Sequence, residues 1–494
     1  MINIPYEIII RQEKKMNITI IFYLLGWLLN TVAALMLLPF AVSIYYGESS
    51  GKYFLICSLV ILTIGVLLTK KRPKNAKFYA KEGFVITALS WLLLSLIGCL
   101  PFYLSGEIPS FTNALFECIS GFTTTGASIL HDVEKMSRCM MFWRCFTQWI
   151  GGMGVLVFML AVLPLTGGQD LYLMRAESPG PNVGKLVPKV QKTAYYLYAI
   201  YFALTVLEII CLLIAKMPLY DAVCTSFTTT STGGFGVKNS SLGGYSPTIQ
   251  YIVTIFLYLS GLNYNFFFFI WIKRFKDAFS MQEIRLYSVV FFCAVAVITA
   301  DVIKTGYCLE ESFRHAAFQV GSIMTTAGFS SADFDVWPSL SRSILVLLMF
   351  IGGCAGSTCG GIKVSRILIY LKTVKKEIAQ LCHPRNVKVI KIDNKPLPHN
   401  VLRSANIFFI VYILIFSAST LLVSIDEFDL VTNFTAVASA LGNIGPGLSL
   451  VGPTCNFDIY SAFSKYILMF DMLAGRLELF PMLVLLSPLT WKKQ

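Results

Sequence analysis

Charged residues are scarce in this 494-residue chain, at 14%, whereas 56% of its residues are hydrophobic. So low a charge content excludes an ordinary soluble protein of this length, and the mean hydropathy of +0.68 agrees. Histidine is also rare, with four residues, and the thirteen cysteines have no short paired spacing. These absences argue against a zinc site and a disulfide framework, so we expect free thiols in an integral membrane protein.

Three other features are missing. The net charge of +13 lies in short loops and forms no extended basic domain, so we expect no nucleic-acid partner. No histidine, aspartate, serine or metal constellation converges in the apolar runs, which disfavours a membrane enzyme. The N-terminus has no short apolar core with a cleavage site, because its first apolar run continues from about Ile18 to Val42. We expect a retained membrane helix there.

What the sequence does have is a series of long apolar runs. They predict about ten spans, of which the first two form an appended hairpin in residues 1–76 and the others form four repeats at 77–192, 193–281, 282–400 and 401–494. The stretch near Phe111–Ser120 is too short to cross a bilayer, which takes about 20 residues, but it suits a re-entrant half-helix. The predicted spans lie near Ile18–Tyr45, Tyr53–Thr69, Gly83–Leu104, Met140–Leu165, Tyr195–Ala215, Ile249–Trp271, Leu286–Val302, Ile344–Tyr370, Ile407–Val423 and Tyr466–Leu486.

A glycine-containing loop recurs between the two spans of each repeat. Aligning Gly126, Gly233, Gly328 and Gly445 places these loops 95 to 117 residues apart, about one helix–loop–helix unit each time. A single Thr-Gly segment is as well explained by an ordinary turn. Four copies at matching places favour one unit repeated four times.

The distribution of lysine and arginine predicts the orientation of the chain. It places all four glycine loops on the outer side and both termini in the cytoplasm. Arg144, between two tryptophans, is expected to be an interfacial anchor. The cytoplasmic cations are Arg11, Lys14, Lys15, Lys70, Lys71, Arg72, Lys74, Arg175, Lys185, Lys189, Lys192, Lys273, Arg274, Lys276, Arg366, Lys372, Lys375, Lys376, Arg385 and Lys388. The outer acidic residues are Asp132, Glu134, Glu310, Glu311, Asp333, Asp335, Asp426, Glu427 and Asp429.

Re-entrant loops cannot expose bare backbone to lipid, so the four loops must be enclosed by protein or line a water-filled path. Glycine lets successive carbonyl oxygens point at one axis, and threonine hydroxyls add neutral oxygen ligands. Such oxygens can replace the hydration shell of a monovalent cation. The negative ends of the half-helix dipoles favour a cation as well, and the outer acidic residues are expected to raise its local concentration.

Two features interrupt the spans. Residues 352–361 contain so many glycines that an unwound intramembrane loop is expected, either as a gate or as a site of close helix packing. Arg476 lies near the middle of the last predicted span, where an arginine usually marks an ion path. Its alternative is a structural pairing with a carboxylate or with carbonyls. Glu478, two residues on, does not share its helix face.

These motifs together resemble the Trk/Ktr/HKT superfamily of potassium transporters, and most closely its bacterial TrkH-type pore subunits. The resemblance covers nearly the whole chain, and the two extra N-terminal spans favour the TrkH type over the shorter KtrB type. The matching motifs are Thr123–Ala127, Ser231–Phe235, Gly353–Thr358, Gly360–Lys363, Gly442–Gly447 and Gly475–Glu478.

The resemblance implies an all-α membrane protein with four pseudo-symmetric M1–P–M2, potassium-channel-like repeats around a central pore, plus the N-terminal two-helix hairpin. It also implies a homodimer and a cytoplasmic ring of nucleotide-binding, TrkA-like (RCK-type) regulatory subunits; this chain itself has no nucleotide site. Glycine at Gly126, where the sodium-preferring plant relatives have serine, favours potassium. Cys359 departs from the glycine common in relatives, and Phe329 and Pro446 depart from strict fourfold symmetry.

The residues implied at the site fall into two groups. The filter residues expected to bind K⁺ are Thr124, Thr125, Gly126, Ser231, Thr232, Gly233, Ala327, Gly328, Asn443, Ile444 and Gly445. The gate residues are Gly353, Gly356, Ser357, Thr358, Cys359, Gly360, Gly361 and Arg476.

The expected function is potassium uptake across the bacterial plasma membrane through a gated pore, with K⁺ as the transported ion and no organic cofactor in this chain. A potassium symporter coupled to sodium or protons is the alternative.

Overall fold

The structure is a computed structural model that describes residues 16–73, 80–154, 190–384 and 389–492. Some predicted features lie outside these residues, namely the basic N-terminus and the second half of the span near Met140–Leu165. The cations predicted for the cytoplasmic side that fall outside are Arg11, Lys14, Lys15, Lys74, Arg175, Lys185, Lys189, Arg385 and Lys388.

The predicted N-terminal hairpin is present. Its first helix begins where the Asn17 side chain accepts a hydrogen bond from the Ile20 amide, 3.3 Å away. The Ser58 hydroxyl donates to the Ala33 carbonyl across the hairpin at 2.7 Å, and Gly26 lies against Gly65. Small residues therefore let the two arms pack closely, as membrane helices commonly do. The elements are α1 (Ile18–Leu35), α2 (Leu37–Tyr46) and α3 (Gly51–Thr69).

Each of the four repeats has a long first helix, a half-helix and a second helix. The first repeat has α4 (Ala80–Gly98), α5 (Leu100–Ser105), α6 (Phe111–Phe122) and α7 (Arg138–Gly152). The second has α8 (Val190–Ile214), α9 (Leu219–Thr230), α10 (Pro247–Ser260), α11 (Tyr264–Trp271) and α12 (Phe275–Ser280). The third has α13 (Gln282–Val302), α14 (Leu309–Met324), α15 (Ser339–Ile351), α16 (Val364–Cys382), β1 (Lys391–Ile392) and β2 (Lys395–Pro396). The fourth has α17 (His399–Val423), α18 (Leu430–Gly442), α19 (Ala462–Arg476), α20 (Phe480–Leu486) and α21 (Pro488–Trp491).

Six helical segments of the described chain are long and apolar enough to cross a membrane, and a bent pair makes up to seven. The sequence predicted about ten spans, and the difference lies in the second helix of each repeat. These helices, α7, α10, α15 and α19, have 15, 14, 13 and 15 residues. At 1.5 Å per residue they are about 20–23 Å long, shorter than a ~30 Å hydrocarbon core. Within the described residues, each second helix therefore ends before the predicted span does.

The breaks occur where the second helix passes close to the end of a half-helix. A side chain on Gly151 would collide with the Phe122 carbonyl, and one on Gly475 would collide with the Leu441 carbonyl. The chain then continues differently in repeats 2, 3 and 4, where the structure describes the residues that follow. α11 is bent by 91° from α10. Residues 352–363, the intramembrane loop, separate α15 from α16, and α20 begins at Phe480.

Candidate ion pore

The four half-helices end in the same hydrogen-bond pattern. In each, an amide beyond the helix reaches back five residues to a carbonyl of the last turn, which satisfies backbone groups that the helix end leaves free. The bonds run from Thr125 to Ser120 at 2.9 Å, from Gly233 to Thr228 at 2.7 Å, from Ala327 to Ser322 at 2.8 Å and from Ile444 to Ser439 at 2.9 Å. Every acceptor is a serine or threonine. The four loops are thus structural equivalents with a defined register.

The backbone dihedrals give the same register. One residue before each of these amide donors is left-handed, with φ between 53° and 58°: Thr124, Thr232, Thr326 and Asn443. The residue after each donor is a glycine with φ between 79° and 108°: Gly126, Gly234, Gly328 and Gly445. The predicted alignment of Gly233 with Gly126 is therefore wrong by one residue. Gly234 is the equivalent, and Thr326 belongs to the set although the sequence prediction omitted it.

The four loops close into a ring. A side chain on Gly126 would collide with the carbonyl oxygen of Gly233, and one on Gly234 with that of Ala327. The pattern continues from Gly328 to the Ile444 carbonyl, and Gly445 completes the circle, with the Thr125 carbonyl 2.9 Å from its Cβ position. Each glycine therefore makes room for a carbonyl of the next repeat, and the four loops surround one axis in chain order.

A funnel of about 200 Å³ opens above this ring, and all four glycines line it. Its basic lining residues are His131, Arg144 and Lys238, and among the lining residues that the structure describes there is no carboxylate. The predicted rise in local cation concentration therefore does not come from acidic residues in the funnel wall.

The acidic residues near the funnel serve as structural acceptors. Asp132 accepts a hydrogen bond from the Asn239 side chain at 2.8 Å and lies 3.1 Å from the Lys135 ammonium. These two contacts lower the pKa of Asp132, so it stays ionised at neutral pH. Its charge stabilises the loops that surround the mouth.

The intramembrane loop lies beneath the ring, on the side away from the funnel. The Thr358 hydroxyl is 3.3 Å from that of Thr232, and the Gly360 amide donates to the Thr326 hydroxyl at 2.7 Å. Both partners precede the ring glycines, which face the funnel. The predicted unwound loop is thus present. It hydrogen-bonds to the second and third glycine loops, and Gly360 packs against Asn443 of the fourth.

Cys359 is packed tightly inside this loop. Its sulfur lies 2.5 Å from where a side chain on Gly353 would begin, and the side chain is buried. Its carbonyl accepts a hydrogen bond from the buried ammonium of Lys363, which stands just before α16. The loop therefore accommodates a cysteine here because Gly353 opposite has no side chain.

Arg476 contacts the intramembrane loop directly. It is the last residue of α19, about 21 Å from the start of that helix. Its Nη1 donates to the Thr358 carbonyl at 2.6 Å, and its Nη2 donates to the carbonyls of Gly152, at 2.5 Å, and Gly151. The guanidinium therefore joins the loop to the C-terminal end of α7. Arg476 thus makes both the pairing with carbonyls that was its alternative role and a contact to the loop.

Comparison with known proteins decides the family. The model of the TrkH family, described as cation transport proteins, matches residues 50–492. This chain belongs to the TrkH family. It is 37% identical over 489 residues to the Trk system potassium uptake protein TrkH of Salmonella typhimurium and equally to that of Escherichia coli K12, covering 97% of this chain and 100% of each relative.

A solved structure shows the same fold. The crystal structure of the potassium transporter TrkH from Vibrio parahaemolyticus matches with a TM-score of 0.86 at 33% identity, covering 97% of this chain and 100% of that one. The predicted family and fold class are therefore confirmed. As a member of a transporter family, this chain is a multi-pass membrane transport protein and not an enzyme.

Two amide side chains of this TrkH-family protein hold the glycine loops in place. Gln148 donates to the Gly233 carbonyl at 2.7 Å and accepts from the Phe235 amide at 3.1 Å. Asn443 donates to the Thr125 hydroxyl at 3.0 Å and to the Met472 carbonyl at 2.8 Å. Each amide side chain ties a loop of one repeat to another element, which fixes the spacing of the ring. No local signal in the sequence identified Gln148.

A buried ion pair supports the segment that follows the first glycine loop. Arg144 Nε lies 2.6 Å from Glu117 Oε1, and both side chains are almost fully buried. Glu117 also accepts from the Ile129 amide at 3.0 Å, and Arg144 donates to the Gly236 carbonyl at 3.1 Å. The prediction that Arg144 is an interfacial anchor is therefore wrong, because its partner on α6 takes it into the protein interior.

Alanine at Glu117 is expected to lower the free energy of unfolding by about 3–5 kcal/mol, because it leaves the Arg144 charge buried and unpaired. Thermal unfolding of the detergent-solubilised protein measures this. The double variant Glu117→Leu with Arg144→Met removes both charges and is expected to recover most of the loss. A single variant as stable as the parent would contradict a structural role for the pair.

The corrected register makes its own prediction. Alanine at Gly234 is expected to reduce transport about 5- to 30-fold, because a side chain there needs left-handed backbone, at ~1–2 kcal/mol, and meets a neighbouring carbonyl. Gly233 is not left-handed, so alanine there has no such backbone cost and meets the Gln148 side chain, not a neighbouring carbonyl; a smaller loss, caused by displacement of Gln148, is expected. Rubidium uptake into proteoliposomes compares the two, and a larger effect at Gly233 would contradict the register.

Proposed function

We propose that this chain takes up potassium ions through a gated, selective pore in the bacterial inner membrane. The observation that carries the proposal is the ring of four filter loops, in which each glycine faces a carbonyl of the next repeat. The relatives that match over their full length are named as potassium uptake proteins, which supports the choice of ion.

In this proposal the ring supplies oxygen ligands to a dehydrated cation. The backbone carbonyls of Thr125, Gly233, Ala327 and Ile444 belong to equivalent positions, and the four half-helices end at the ring. Carbonyl oxygens compensate for the lost hydration shell, and the half-helix dipoles add negative potential. K⁺ is the transported ion and binds transiently. The proposed filter consists of Thr124, Thr125, Gly126, Thr232, Gly233, Gly234, Thr326, Ala327, Gly328, Asn443, Ile444 and Gly445, with Ser231 beside it.

The intramembrane loop is the proposed gate. It lies directly beneath the filter loops through Thr358 and Gly360, and Arg476 places a positive charge against it. A fixed cation beside the path opposes the passage of K⁺. Opening therefore requires the loop to leave its contacts with Thr232, Thr326 and Arg476. The proposed gate residues are Gly353, Gly356, Ser357, Thr358, Cys359, Gly360, Gly361 and Arg476.

The wider assembly is also a proposal. We infer an appended hairpin in residues 1–76, repeats at 77–192, 193–281, 282–400 and 401–494, and both termini in the cytoplasm, where loop cations are concentrated. We also infer a homodimer and a cytoplasmic TrkA-like ring that binds the nucleotide and controls the gate, and the likeness to the Trk system proteins supports this inference.

Reversal potentials in planar bilayers test the transport mode. A passive potassium pore has a reversal potential that follows the potassium gradient and is unchanged when sodium or pH differs across the membrane. A symporter coupled to sodium or protons would shift it with those gradients. If purified protein carries no potassium current under any gradient or in proteoliposome flux, the proposed function itself is wrong.

A further inference from the structure

A buried carboxylate outside the filter holds the intramembrane loop. Glu283, the second residue of α13, accepts a hydrogen bond from the Ala355 amide at 2.6 Å through Oε1. The residue is only 7% exposed. A short hydrogen bond to a buried carboxyl oxygen is costly to lose, because the loop amide is then left away from water without a partner. The sequence prediction gave Glu283 no role.

The same carboxyl group also contacts the segment between α10 and α11 in the second repeat. Its Oε2 accepts from the Asn263 side chain at 3.3 Å, and Asn263 caps α11 through the Asn265 amide. Glu283 therefore bridges α13, the α10–α11 break and the loop.

The backbone near this bridge makes two further contacts between the loop and the break. The Cys354 amide donates to the Gly261 carbonyl at 3.0 Å, and the Tyr264 amide donates to the Gly356 carbonyl at 3.3 Å. Residues 354–356 thus make contacts at three consecutive positions, two to the α10–α11 break of repeat 2 and one to Glu283 at the start of α13. Of these contacts, only the one to Glu283 depends on a side chain, so it is the one that substitution can remove.

We propose that Glu283 is a positioning residue that holds the intramembrane loop beneath the filter, and that loss of its bond to Ala355 releases the loop. The proposal rests on the proposed function of this loop as a gate. Arg476 and Lys363 hold the loop at Thr358 and Cys359, further along the chain. Glu283 acts at the beginning of the loop, through the Ala355 amide.

Potassium flux into proteoliposomes tests this with three variants. Glu283→Ala removes the acceptor and is expected to raise basal flux about ten- to a hundredfold, the range for a hydrogen bond to a charged group. Glu283→Gln keeps an acceptor oxygen and is expected to stay within a few-fold of the parent. Glu107→Ala is the matched control, since Glu107 accepts from the Ser137 amide at 3.0 Å far from the loop. It is expected to leave flux unchanged.

Thiol labelling separates release of the loop from loss of the fold. Cys354 and Cys359 are buried in the loop, whereas Cys118 and Cys145 are buried in helices α6 and α7. In Glu283→Ala, N-ethylmaleimide is expected to label Cys354 and Cys359 faster while Cys118 and Cys145 stay protected, as read by mass spectrometry. If all four become labelled, Glu283→Asp, which shortens the side chain by one methylene, decides instead and is expected to raise flux.

Two outcomes would overturn the inference. One is a folded Glu283→Ala protein whose flux and loop labelling equal those of the parent, and the other is Glu283→Asp with unchanged flux. Failure of the parent protein to carry potassium would instead refute the proposed function.

Discussion

Serine at Gly126 is expected to lower the preference for potassium over sodium by about tenfold or more. Gly126 has a φ of 82°, and a side chain there would collide with the Gly233 carbonyl of the next repeat. A residue with a Cβ adopts left-handed backbone at a cost of ~1–2 kcal/mol, so the loop or the carbonyl must move. A displaced carbonyl no longer matches the size of a dehydrated potassium ion.

Flux of potassium, rubidium and sodium through the Gly126→Ser protein in liposomes measures this preference. Gly106→Ser is the matched control, because Gly106 has a similar φ of 77° but nothing within 4 Å of the added carbon. The control is expected to keep the parental ion ratios. An unchanged potassium-to-sodium ratio in Gly126→Ser would show that the first loop does not select the ion.

Alanine at Arg476 is expected to raise basal potassium flux about tenfold or more. The change removes a positive charge beside the path and the bond at 2.6 Å that holds the Thr358 carbonyl. Hydrogen bonds from charged donors contribute about 1.5–3 kcal/mol. Loss of this bond should therefore raise the ratio of open to closed loop by about tenfold or more. Fluorescent flux assays without any regulatory subunit report the basal rate.

Two further variants test the cause of this increase. Arg476→Lys keeps the charge but has no planar fork for three carbonyls, so an intermediate flux is expected. Arg274→Ala removes an exposed arginine, paired with Asp277 at 2.6 Å, and is expected to leave flux unchanged. Unchanged or reduced flux in a folded Arg476→Ala protein would contradict the proposed barrier.

Local sequence patterns were sufficient for much of the architecture. The first half-helix was predicted near Phe111–Ser120 and runs over Phe111–Phe122. Glycines in residues 352–361 predicted the break between α15 and α16. These features depend on span length and backbone propensity, which the sequence displays directly.

The predicted alignment of the second glycine loop is wrong, although the sequence contains a signal for the correct one. The sequence has two adjacent glycines, Gly233 and Gly234, and the predicted alignment uses Gly233. A serine or threonine stands six residues before Gly126, Gly328 and Gly445, and Thr228 stands six residues before Gly234. The same serine or threonine carbonyl accepts the hydrogen bond that ends each half-helix, so this spacing selects Gly234.

Features that depend on packing between distant elements could not be predicted. The second helices end where Gly151 and Gly475 meet the half-helix carbonyls, and these contacts exist only after folding. The ion pair of Arg144 with Glu117 likewise joins two helices of repeat 1, and Glu283 reaches the loop across 72 positions of chain. Residue type alone indicated an interfacial arginine and gave Glu283 no role.

Thallium or rubidium bound to the crystallised protein would test the proposed filter most directly, because both ions replace potassium and scatter anomalously. We expect anomalous density on the axis between the carbonyls of Thr125, Gly233, Ala327 and Ile444, and its weakening in Gly126→Ser crystals. Density confined to other parts of the protein, or an axis without density at ion concentrations that support flux, would contradict the proposal that these four loops bind the transported ion.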